Sequence, residues 1–254
     1  MAVIAAGAVV LFLGVAALSS AQTVYVEVGA VKTTFSASIK PKALPKSKRA
    51  PIAVRLASTI VAKGGGQIPA IARAKIGIDR SLTIDARGVP ACSAGQLESQ
   101  TTEGAEAACP AAIVGSGSVA VQITLGDGTA AQADSRLVAF NGGAAGRTTT
   151  VLVHAYLAAP VSQALVVPIT LTKLAKGGYG MLAQSTIPKI AAGAGSLARF
   201  DLTLRRQVAT ASGKKHGYLL ARCSDGNFVF EPEVEFDDGN LARGLLAQGC
   251  NTAR

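Results

Sequence analysis

The chain has 254 residues, a formal charge of +10, no Trp, two His and an aromatic content of only 4%. Its apolar half is built from Ala, Val and other small or branched residues, which suit close-set strands and leave little with which to wall an aromatic cleft. The length allows one large β domain or two small ones, and no helix-turn-helix, zinc-finger or RNA-binding aromatic motif stands in it to recruit nucleic acid.

Residues 2–18 form an apolar run without a charge, followed by Ser19, Ser20 and Ala21. The run and its small residues predict an export signal over 1–21, cleaved between Ala21 and Gln22, although no Lys or Arg precedes it. Residues 22–51 then hold N-terminal strands and a basic connection, and 52–254 a β-rich domain. Strands are expected at 23–28 and 34–39 by alternation. The stretch from Lys40 to Pro51 carries three prolines and five cations, Lys40, Lys42, Lys46, Lys48 and Arg49. It reads as an exposed extended connection whose cations would contact a polyanion.

Further strands are expected at 52–62, 72–78 and 81–85. Residues 93–108, rich in Ala, Glu and Gln, give the best helix of the chain. Strand texture resumes at 113–125, 135–140, 148–157, 164–174, 179–187, 198–208, 218–222, 227–236 and 240–246. Turns are expected at Gly126–Gly128, Asn141–Gly143, Lys176–Gly178, Ser212-Gly213 and Asp238-Gly239, the last being the clearest hairpin signal. The expected fold is all-β, an antiparallel β-sandwich or open barrel with one short disulfide-stapled helix.

The four cysteines, Cys92, Cys109, Cys223 and Cys250, allow three pairings. Local loops favour Cys92–Cys109 and Cys223–Cys250, and neither spacing suits a zinc knuckle.

His154 stands in an apolar strand. Alternation puts it on a face with Leu152 and Tyr156, opposite Val151, Val153, Ala155 and Leu157. It would need a nucleophile or carboxylate from elsewhere to act as a base, so a structural role is expected. His216, in a polar turn, reads as exposed. Glu231, Glu233, Glu235 and Asp237 fall on one face of one strand, where a calcium site, a pair of glycosidase carboxylates or a solvated face paired with Arg243 are the alternatives, the last favoured. The segment from Asn141 to Thr148 has the glycines of a phosphate loop but the wrong spacing and a strand after it, so a hairpin connection is expected.

Taken together, the phrases 40–46 (KPKALPK), 88–93 (GVPACS), 112–117 (AIVGSG), 140–143 (FNGG), 154–156 (HAY) and 186–193 (TIPKIAAG) resemble a group of uncharacterised exported proteins of high-GC actinobacteria. The resemblance implies export, two disulfides and a β-rich fold, and brings no catalytic or binding residue with it. The expected function is that of an exported, non-enzymatic envelope or extracellular protein without cofactor or metal, contacting anionic wall or matrix polymers. A hydrolase using His154, or an assembly module binding a protein partner, are the alternatives.

Overall fold

The computed structural model describes residues 22–209, 213 and 215–253. The expected export signal and Ser212 of the Ser212-Gly213 turn lie outside them. Thirteen strands make one antiparallel sheet. In chain order these are β1 (Gln22–Val28), β2 (Val31–Lys40), β3 (Ala53–Ala62), β4 (Ile71–Asp79), β5 (Ile113–Thr124), β6 (Ala130–Ala145) and β7 (Thr148–Leu157). They continue as β8 (Gln163–Lys173), β9 (Tyr179–Thr186), β10 (Gly195–Leu204), β11 (Asn227–Phe236), β12 (Leu241–Arg243) and β13 (Leu246–Gly249). The spatial order is β1-β2-β3-β10-β5-β6-β7-β8-β9-β4-β11-β12, with β13 pairing to β11 beside β12.

The sheet curls into a nearly closed barrel, so of the two expected architectures the barrel is the one formed. Its edges meet through side chains: the Ala247 amide donates to Gln22 Oε1 at 2.7 Å, and a Cβ on Gly244 would sit 2.7 Å from Val24 Cγ1. Alternation decides which face is inside. Val31, Thr33, Phe35, Ala37 and Ile39 of β2 point inward and are buried, as are Phe228, Phe230, Pro232, Val234 and Phe236 of β11. The outward face carries ion pairs. This polarity is the reverse of a membrane-spanning barrel, whose lipid face is apolar and whose lumen is polar. No helix among the described residues is long and apolar enough to cross a membrane.

The two ends differ. Short turns at 29–30, 125–129, 158–162 and 237–240 join strands at one end. The other is closed by the long connections 41–52, 80–112 and 205–226, where 50–51 and 82–84 flank 219–221 in a small sheet. Leu44, Ile52, Leu82, Ile84, Tyr218 and Leu219 bury themselves there against the barrel core. Both expected disulfides form: Cys92–Cys109, and Cys223–Cys250 across this capped end.

Four local expectations are corrected. The single helix is two, α1 (Ala94–Leu97) and α2 (Thr102–Ala108), because the segment holds two N-terminal caps. Gln96 Oε1 accepts from the Ser93 amide at 2.9 Å, Thr101 Oγ1 accepts from the Gly104 amide at 3.2 Å, and Ser99 between them has φ 61°. Asn141–Gly143 is no turn: β6 runs on to Ala145, and the chain reverses at Gly146 and Arg147. Lys40–Pro51 is extended and largely exposed as expected, but it takes part in strand pairing instead of being a connection alone. Residues 43–44 pair in parallel with 251–252, the Cys223 amide donates to Pro45 O at 3.0 Å, and Leu44 is fully buried. The last expected strand, 240–246, is broken into β12 and β13 at Gly244 and Leu245.

Candidate functional site

Inside the barrel lies a cavity of about 210 Å³. Its wall comes from β2 to β11 and β13, with Phe35, Val121, Val167, Ile187, Phe230 and Leu246 among its side chains. It reaches toward the short-turn end, where Ile71, Ile187 and Ile190 border it, while the residues closing the capped end take no part in it. Leu56, Ile76, Val167, Ile169, Leu197 and Phe200 pack against the core on one side and border this space on the other, and they are only partly buried. One polar atom stands out on the wall. Ser58 Oγ is buried without a hydrogen-bond partner, and Thr33 Oγ1, on the same inward face of the neighbouring strand, is likewise unpaired.

A void of this kind is costly if empty. Side chains that border such a space lack van der Waals partners on that side. Apolar cavities of about 150 Å³ stay dry and take up benzene or xenon. The sequence reading missed the lumen. Strand alternation names the inward residues, but whether they meet across the barrel depends on closure between strands far apart in the chain.

His154 sits elsewhere, on the outer face of β7. With Leu152, Val138 and Phe140 it is roofed by α1 and α2, forming a second apolar cluster stapled by Cys92–Cys109. Its predicted face is the observed one. Nε2 lies 3.1 Å from Gln100 O, and Nδ1 is buried with no partner, so neither nitrogen meets solvent. Burial pushes its pKa below the usual histidine value, outweighing the Gln100 carbonyl. The unfolded chain therefore binds this proton more readily than the folded one. The stabilising difference is complete above about pH 6.5, the unfolded value, and is lost as the pH falls below it. His154→Gln is expected to flatten thermal stability between about pH 6.5 and 5. A wild-type melting temperature that stayed level across this window would show His154 charging freely in the fold.

The acidic strand alternates as expected and its glutamates face outward. Glu233 lies 3.2 Å from Lys75 and bonds Arg243 across the hairpin, while Glu235 receives two bonds of 2.9 Å from Arg73. Arg243 holds Glu233 below the ordinary carboxylate range, assisted by Lys75, and Arg73 does the same for Glu235. This is the solvated, paired face. Among the described residues no three metal-ligating side chains cluster.

His216, expected exposed, is corrected: Nε2 lies 3.3 Å from Asp85 Oδ2 and the side chain is mostly covered. Asp85 is held down to about 2, chiefly by hydrogen bonds from Arg87, with the charge of His216 adding to the effect. Asn141 is a buried hub that the turn reading concealed. Its Nδ2 donates to Val89 O at 2.9 Å and Pro90 O at 3.1 Å, and its Oδ1 accepts from Tyr218 Oη at 3.1 Å and the Gly143 amide at 3.2 Å. It ties the barrel wall to the cap.

The cations singled out in the sequence lie at the capped end. Lys40 and Lys42 line a shallow cleft with Pro51, Ile52, Arg205 and Gln207, while Lys46, Lys48 and Arg49 lie exposed on the pinned strap beside it. Arg205 and Gln207 come from the far side of the sequence and were not legible as partners of this run. No family model, curated protein or solved structure matches the chain.

Proposed function

We propose that the chain is an exported, non-catalytic binding protein that holds a small, uncharged, largely apolar molecule in the barrel lumen. The observation that carries this reading is the 210 Å³ space walled by aliphatic and aromatic side chains inside an otherwise packed barrel. The unpaired Ser58 hydroxyl offers one hydrogen bond, which fits a ligand with a single hydroxyl or carbonyl group on a hydrocarbon body. The two disulfides and the apolar run over 1–21 support export.

The test uses the mature chain and the neutral fluorophore N-phenyl-1-naphthylamine, displaced by alkanols of increasing length. Wild type is expected to bind with a Kd of the order of micromolar. Ala155→Phe with Ala183→Phe, both on the cavity wall, should weaken binding at least about tenfold while leaving the melting temperature unchanged or raised, since the rings enter a void. Probe binding unaffected by the double variant would place the fluorophore outside the lumen. Failure of wild type to bind, together with a lower melting point for the filled variant, would show a packed core and end this reading.

A further inference from the structure

We infer that the capped end is a docking face for a linear, phosphodiester-linked polyanion of the cell envelope, on grounds separate from the lumen. The chain has no Asp or Glu between Glu27 and Asp79, so the strap from Lys40 to Arg49 brings cations to this end without acids among them. The fold adds cations from distant segments. Arg205 and Gln207 form the far wall of the cleft against Lys40 and Lys42, residues 215–217 and 219–221 lie beside 50–51, and Arg49 Nη2 donates to Arg80 O at 3.3 Å.

The contrast with the barrel flank is what gives this excess meaning. Along the flank Arg55 pairs with Asp201, Arg73 with Glu235, Lys75 and Arg243 with Glu233, Arg136 with Glu106 and Arg199 with Asp134. At the capped end, among the described residues, no carboxylate lies within 4.0 Å of Lys40, Lys46, Lys48 or Arg205. Among the described residues of 79–85 and 205–226, Asp79 accepts from the Ser81 and Val229 amides at 2.7 and 3.2 Å and Asp85 is taken by Arg87 and His216, which leaves Asp225 as the exposed acid of these segments. Arg206 Nε and Arg222 Nε are buried with no acceptor at all.

The strap is also held in place. The Asn251 amide donates to Lys42 O at 2.9 Å and the Ala253 amide to Leu44 O at 2.8 Å, so the cations are presented on an ordered backbone and binding need not order it. Single-stranded nucleic acid would use aromatic platforms for its bases as well as cations for its phosphates. Among the described residues the exposed large aromatic is Tyr25, on β1 and away from this face. Among its described residues the face offers cations for a phosphate backbone and no aromatic platform for bases.

The experiment compares binding of polyglycerol phosphate to the mature protein and to two quadruple variants with equal charge loss. Lys40→Gln, Lys46→Gln, Lys48→Gln and Arg205→Gln together remove the face. Lys32→Gln, Lys63→Gln, Arg136→Gln and Lys189→Gln remove cations elsewhere. Wild-type affinity is expected to fall at least about tenfold between about 50 and 200 mM salt, as counterion release requires. The face variant should bind at least about thirtyfold more weakly at low salt with an unchanged melting temperature, and the control variant within about threefold of wild type. Equal losses in both variants would reduce the effect to net charge and overturn the docking face. Tighter binding of oligothymidylate than of polyglycerol phosphate would overturn the choice of partner.

Discussion

Gly117→Ala is expected to destabilise the barrel severely. A Cβ at this position would lie 1.8 Å from Asp201 O and 2.9 Å from Leu202 Cα, contacts no real Cβ makes. The obstacle is backbone, so no side chain can swing aside. β10 cannot retreat either, because it is laddered to β3 on one side and β5 on the other, and Asp201 is paired with Arg55 from β3. Gly115, two residues earlier on the same face, approaches Thr203 O in the same way, at 2.4 Å from a built Cβ. The pair lets the backbones of β5 and β10 approach closely along this register. Forcing them apart should cost about 4 kcal/mol or more, the range of severe core changes. In a domain of this size that lowers the melting temperature by more than about 10 °C. Gly95→Ala is the control: nothing lies near its Cβ, it is helical, and the change should be neutral or slightly stabilising. A Gly117→Ala protein that melts within about 2 °C of wild type would mean that β5 and β10 stand further apart than this register allows.

These glycines show what the sequence does and does not disclose. The strand over 113–125 was legible from its alternation, and so were the faces of β7 and β11, because period-two patterning is a local property. Hairpins at Gly126–Gly128 and Asp238-Gly239 were legible from positive-φ turn chemistry, and Gly128 and Gly239 both have φ 82°. Asn141–Gly143 carries the same residues and misleads. There Gly143 takes a positive φ inside a bulged strand, and the asparagine is spent on the cap instead of on a turn. The two helix caps were in principle readable from Ser93 with Gln96 and from Thr101. The lumen and the basic cleft were not, since each is assembled from strands or segments that meet only when the barrel closes. Phe35 and Phe230 are both plain core residues in sequence. That they border a common space is a fact about the ten-strand path that runs from β2 round to β11.

Opening the Cys223–Cys250 bond should loosen the capped end and, through it, the basic face. The bond closes a loop of 27 residues, for which chain entropy gives about 3.5 kcal/mol, against about 3 kcal/mol for the 17 residues spanned by Cys92–Cys109. The two losses differ in place. Cys223 is bonded through its amide to Pro45 O, Cys250 through its amide to Gly226 O, and the next residue, Asn251, reaches Lys42 O. The Cys223–Cys250 bridge therefore anchors the C-terminal strand that holds the strap, whereas Cys92–Cys109 anchors the helical roof over His154. Cys223→Ala with Cys250→Ala is expected to lower the melting temperature by about 7–14 °C and to weaken polyglycerol phosphate binding by several-fold at a temperature where the barrel is still folded. Cys92→Ala with Cys109→Ala should cost comparable stability, leave polyanion binding unchanged, and expose His154 so that its depressed pKa returns toward the ordinary histidine value. Hydrogen exchange localises each effect, at the amides of 251 and 253 in the first case and of 105 and 109 in the second. If both variants weakened the polyanion equally, the strap would owe its order to the barrel as a whole and not to the bridge beside it.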